Sequence, residues 1–190
     1  MKLLEPLKYL SIRHDEKRWY DLWYPLCGSI LVTAIYFFME TPFSIFGKSG
    51  LVTQINGLLQ VLIGFYIASL AAIATFSNPT IDEVMAGTPP KVKELYRGKI
   101  LDVELVRRRF LCYLFGYLAL VSFILFGFGL VASLFTSQLM TLINSFGISW
   151  VLKAVKVVFI FGYTLVLFNM LSTTLLGLYY LAVRIHQPND

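Results

Sequence analysis

The side chains able to do chemistry are few and scattered. His14 and His186 lie near opposite ends of the chain, and neither has a second ligand at metal-binding spacing. Cys27 and Cys112 are not spaced as a metal pair. They read as small apolar packing residues in a reducing compartment, so no disulfide is expected. No Gly-rich phosphate loop, GxSxG elbow or HExxH helix occurs. The expectation is no catalytic residue, no cofactor and no metal site. What remains is basic. Lys91, Lys93, Arg97, Lys99 and the triplet Arg107, Arg108, Arg109 fall in one polar stretch, and Arg13, Lys17 and Arg18 in another. Clustered cations suit nucleic-acid phosphates, lipid head groups or an acidic protein surface. Which of these anions is met depends on the elements that carry the cations.

Composition supplies those elements. Of 190 residues, 57% are hydrophobic and 14% charged, against roughly 25% charged in soluble chains. The mean hydropathy is +0.71. Too little charge is present to cover a water-facing surface, and the fold class is all-α, an integral membrane protein. Four stretches suit transmembrane helices. Tyr24 to Met39 carries no charge, nor do Leu51 to Phe76 (26 residues), Phe110 to Phe135 (26) and Val157 to Val183 (27). A bilayer core takes about 20 apolar residues as helix, so the last three are long enough to span with tilt. The first is short, but Trp19, Tyr20, Trp23 and Tyr24 supply an aromatic belt before it. The rival readings of Tyr24 to Met39 are a surface-lying segment or a signal anchor. A cleaved signal peptide does not fit the polar first 21 residues.

The basic residues orient the spans. Thirteen Lys and Arg fall before the first span, between the second and third, or after the fourth; only Lys48, Lys153 and Lys156 fall on the other side. Positive charge stays inside, which predicts two transmembrane hairpins with both termini cytoplasmic. The chain then divides into an amphipathic segment 1–21, a first hairpin 22–76, a cytoplasmic loop 77–109, a second hairpin 110–183 and a tail 184–190. Leu3, Leu4, Leu7 and Leu10 would share one face of a surface helix. In the loop, Asn78 and Pro79 with Asp82 and Glu83 suit a helix start. The GTPP run at 87–90 breaks that helix. The spacing of Val92, Leu95, Tyr96, Ile100, Leu101 and Leu105 allows a second helix running into the third span. The outer connection Thr136 to Trp150 is uncharged and suits either a membrane-lying loop or a cover over an assembly's outer mouth.

Within the spans the polar groups are neutral. Asn56, Gln60, Gly64, Ala68 and Ala72 recur at four-residue steps and so stay near one helix face. Small residues admit close helix approach. This stripe, with Gly129 and Ser133 on the third span, reads as helix packing within one subunit, or as an oligomer interface or a narrow water path. Asn169, Ser172, Thr173 and Thr174 form a polar knot that requires partners on neighbouring helices. Aromatics are not interleaved with the basic loop, where Tyr96 stands alone, so no direct nucleic-acid contact is expected.

The stretches LLQVLIGFYIASLAAIATF (Leu58–Phe76) and RRRFLCYLFGYLALVSF (Arg107–Phe123), with the lead-in DEKRWYDLWYP (Asp15–Pro25), resemble the membrane subunit of the Kiwa bacterial anti-phage defence system (KwaA-like). The resemblance covers essentially the whole chain and carries no established functional residue. It implies a homo-oligomer in the inner membrane that detects phage attack at the envelope. It also implies a cytosolic effector partner (KwaB-like) that engages phage DNA and halts replication and late transcription. The leading expectation is therefore a membrane-embedded sensor and scaffold without catalysis, touching membrane lipid, itself and an effector docked on the cytoplasmic cations named above. The alternative is a small oligomeric channel or toxin-like pore.

Overall fold

A computed structural model describes residues 2–12, 17–75, 79–84, 89–96, 99–145 and 149–184. Four of its helical stretches are long and apolar enough to cross a membrane: Trp19–Phe38, Leu51–Thr75, Arg107–Leu134 and Trp150–Ala182. The first begins with a π-helical turn, Trp19–Trp23, and continues as α1, Tyr24–Phe38, with Pro25 in its first turn. Because the helix already runs through Trp19–Trp23, proline has no N–H to give the Tyr20 or Asp21 carbonyl, and these accept from Ser172 and Asn169 instead. The aromatic lead-in is thus part of the helix and brings it to 20 residues.

The turn into α2, Leu51–Thr75, is tight. Gly47 sits at φ 99°, a conformation side chains disfavour, and a Cβ on Gly50 would lie 2.6 Å from the Phe46 backbone. Ser44 and Ile45 carbonyls accept the first N–H groups of α2, from Leu51 and Val52, which a helix start otherwise leaves unpaired. α3 spans Arg107–Leu134 and α5 spans Ser149–Ala182. At about 1.5 Å per residue, the 34 residues of α5 exceed a ~30 Å hydrocarbon core, so part of the helix extends beyond it.

Two expectations are corrected. The segment from Lys91 is not helical: β1, Lys91–Tyr96, pairs antiparallel with β2, Lys99–Glu104. The apolar positions suit a helix by spacing. However, Val92 is fully buried at the hairpin's root, and Lys91–Val92–Lys93 faces Asp102–Val103–Glu104 with charged and apolar positions at the strand period of two. The proposed helix after Asn78 shrinks to a single 3-10 turn, Pro79–Asp82, and α3 begins three residues before the expected boundary at 110. The outer connection also contains a helix, α4, Thr136–Ser145.

The extended packing is between α1 and α5 and between α2 and α3, with α3 against α5 joining the two pairs. Bulky contacts lie where glycine permits approach. A Cβ on Gly28 of α1 would meet the Phe168 ring of α5 at 2.8 Å, and one on Gly177 of α5 would meet Leu114 of α3 at 2.8 Å. The N-terminal 3-10 helix, Lys2–Ser11, turns Leu7 of its leucine set against the core. Leu4 and Leu10 are exposed, while Tyr9 and Ile12 are buried, and the helix packs on α3.

Candidate functional site

The end of the bundle that carries the N-terminal helix and the β-hairpin collects most of the predicted site residues. The arginine triplet is divided among three jobs by its position at a helix start. Successive residues point about 100° apart. Arg107 turns inward and is 5% exposed, and its backbone N–H donates to the Glu83 carbonyl at 3.0 Å. Arg108 reaches back to Asp82 as a two-pronged fork, its Nε 2.7 Å from one carboxylate oxygen and an Nη 2.9 Å from the other. Its second Nη donates to the carbonyls of Ile73 and Ala74, at 2.9 and 3.4 Å. Those carbonyls lie in the last turn of α2, where a helix leaves its carbonyls open, so a residue of α3 caps the preceding span. The guanidinium also holds the Asp82 carboxyl below its ordinary value. Arg109 lies 5.7 Å over the Tyr113 ring and donates to its hydroxyl.

On the hairpin, the lysines are not a bare basic patch. The register sets Lys91 opposite Glu104 and Lys93 opposite Asp102, and Lys91 forms an ion pair with Glu104 at 3.3 Å. Cross-strand opposite charges support the pairing. Lys91 and Lys93 are both exposed, so this face sets a column of cations on β1 beside a column of anions on β2. Lys99 pairs with Tyr96 through the backbone. Arg13 and Arg97 lie outside the described residues, as does the side chain of Lys99.

Lys17 belongs to a second network. Its ammonium is 2.9 Å from Asp21, donates to the Tyr9 carbonyl at 2.7 Å and sits 4.4 Å over the Tyr9 ring. Burial lowers its pKa, and Asp21 opposes that shift. The Tyr9 hydroxyl donates to Asp21 at 3.3 Å, and its ring stacks on Tyr117 with centroids 4.9 Å apart. The polar knot of α5 finds its partners here. Tyr117 donates to Asn169, whose amide donates to the Asp21 carbonyl, and Ser172 donates to the Tyr20 carbonyl. Thr174 bonds Tyr66 of α2 at 2.6 Å, while the buried Thr173 hydroxyl makes no hydrogen bond with the described residues. Arg18, next to Lys17, is exposed. Asp21, Tyr9, Tyr117 and Asp82 were not legible as site residues. For the two carboxylates the signal was that inward cations need inward anions.

No protein-family model, curated protein or solved structure matches the chain. The site is thus described by its own geometry, and that geometry divides the predicted interface stripe. Asn56 faces inward, accepting from the Tyr163 hydroxyl at 3.1 Å, and Gly129 gives both side chains room: a Cβ there would lie 2.6 Å from the Tyr163 oxygen. Gln60, Gly64, Ala68 and Ala72 are exposed, with open space over Gly64, and Ser133 is exposed on α3. Packing within one subunit therefore accounts for Asn56 and Gly129 only. The other five point out of the protomer.

Proposed function

We propose that this protein is a membrane-embedded sensor and scaffold of anti-phage defence, which detects phage attack at the inner membrane and docks or regulates a cytosolic, DNA-engaging effector. One observation carries the reading: the membrane helices and the hairpin are joined by a continuous run of directed bonds. It starts at the last carbonyls of α2, passes through Arg108 to Asp82, and returns from Glu83 to the Arg107 N–H. It continues through the Val84–Val106 bridge and the Leu105 N–H to Pro90 carbonyl bond at the root of β1. A shift in how α2 meets α3 is therefore delivered to the hairpin. A two-stranded sheet has open edges, and an edge accepts a partner strand. The cations Lys91 and Lys93 on one edge and the anions Asp102 and Glu104 on the other would choose the charge of that strand.

The test is co-purification of the membrane protein with the cytosolic protein encoded beside it, together with phage plating. Charge reversal at Lys91 and Lys93 should leave insertion intact, release the effector and restore plating. Unchanged co-purification overturns docking on the hairpin. A second reading rests on Gln60. An exposed amide within a span costs free energy against lipid unless water or another copy covers it. A homo-oligomer built on the Gln60–Gly64–Ala68–Ala72 face satisfies it in the scaffold; a water-filled lumen would do so in a channel. Ion flux from liposomes holding the purified protein alone favours the channel.

A further inference from the structure

At the end of the bundle opposite the β-hairpin, two cavities meet. One, of about 240 Å³, is lined almost wholly by apolar side chains, among them Phe46, Phe128, Phe135, Met140 and Phe159. The other, of about 340 Å³, is more polar and is bounded by Tyr36, Pro42 and Ser44. Lys156 lines both, as do Ile45, Phe46, Thr136 and Met140. The apolar chamber is larger than a cavity of about 150 Å³ that takes a benzene-sized guest and excludes water. Its walls come from the loop before α2, the last turns of α3, α4 and the first turns of α5. Phe128, Val131 and Phe135 are each 54% exposed, so it opens sideways, toward the acyl region of a surrounding bilayer.

Lys156 is the unusual member. It is half-buried, and it makes no hydrogen bond or ion pair with the described residues. α4, α5 and the last turns of α3 carry no acidic residue; the nearest in sequence at this end is Glu40, outside both linings. Lys153 and Lys48 add further positive charge here. A half-buried ammonium at the seam between an oily chamber and a wet one lacks an anion, and amphiphiles present that combination. Basic pockets between membrane helices are known to hold anionic lipid head groups.

We propose that this end of the bundle binds one anionic phospholipid, part of one acyl chain in the Phe128–Phe159 chamber and its phosphate in the vestibule on Lys156. The site does not depend on the defence reading.

Native mass spectrometry of the detergent-purified full chain tests it. The probes are phosphatidylglycerol, phosphatidylcholine with the same chains, and glycerol phosphate. Phosphatidylglycerol should give a single saturable adduct, retained in preference to phosphatidylcholine. Lys156→Gln should weaken it about fivefold, and the exposed control Lys153→Gln much less. Ala132→Phe, which fills the chamber, should abolish it, while glycerol phosphate alone should give no adduct. If Ala132→Phe does not fold, Val155→Trp at the chamber wall replaces it. Equal retention of the two lipids, an unchanged Lys156→Gln, or binding of glycerol phosphate alone overturns the proposal.

Discussion

Arg108 shows what a basic triplet at a helix start can do besides contact lipid. Its planar fork bridges a carboxylate and two backbone carbonyls at once, a geometry that a lysine point charge cannot copy. Arg108→Lys should therefore behave like Arg108→Gln, loosening the 79–84 segment, as read by the mobility of a nitroxide at Thr80. Rescue by lysine would show that charge alone suffices. The clasp also depends on pH. Arg108 lowers the Asp82 pKa in the folded state, so its stabilisation is complete above the ordinary value of 3.8 and is lost as pH falls through the folded value. Nitroxide mobility should stay flat from neutral pH down to that window and then rise. At the other network, Lys17 and Asp21 have side chains only 10% and 17% exposed. Removing one partner strands the other. Asp21→Asn should destabilise by about 3 kcal/mol, and adding Lys17→Met should recover part of that loss. Thermal unfolding in detergent measures both.

At the scale of elements, the two halves of the small-residue stripe make opposite predictions. Gly129→Ala pushes a methyl group into the Tyr163–Asn56 bond and should cost about 1–3 kcal/mol of protomer stability. Gly64→Ile meets open space, so protomer stability should hold while cross-linked oligomers disappear. An unchanged oligomer ladder would remove this face from the interface. The last three spans were legible because an uncharged run of 25 residues or more admits few alternatives in a 190-residue chain, while the first, an uncharged run from Tyr24 to Met39, rested on its aromatic lead-in. Their ends were less so. Lys153, Lys156 and Arg107–Arg109 were placed outside the spans because they are charged, yet helix continues through them once their charged ends reach water or a carboxylate. The hairpin was missed for a different reason. Val92, Leu95, Tyr96, Ile100 and Leu101 satisfy a helical spacing almost as well as an alternating one. The deciding signal, only Arg97 and Gly98 between the strands, is weak beside an Asn-Gly pair.

For the whole molecule, the charge asymmetry yields a direct test of orientation. With the native Cys27 and Cys112 replaced, a cysteine at Lys48 should react with an impermeant maleimide on intact spheroplasts, and one at Lys91 only after permeabilisation. The reverse pattern overturns the assignment of the termini to the cytoplasm. The polar knot on α5 was legible as a demand for partners, since Asn169, Ser172 and Thr174 sit in an apolar run. Its partners were not, because Tyr20 and Asp21 offer backbone carbonyls, which every residue has.

That last pairing bears on how the protein is made. α1 is synthesised first, yet the helix it packs against is α5, which emerges more than a hundred residues later. Until then Gly28 has no Phe168 ring to receive, and the Tyr20 and Asp21 carbonyls wait for Ser172 and Asn169. α2 and α3, by contrast, can zip together once the chain is translated through Leu134. A ribosome that stalls before residue 149 therefore leaves a well-formed pair beside one orphaned helix, a species suited to capture by an insertase or to clearance by a membrane protease. The order of translation becomes a quality checkpoint: only a chain read through to its last span can bury its first.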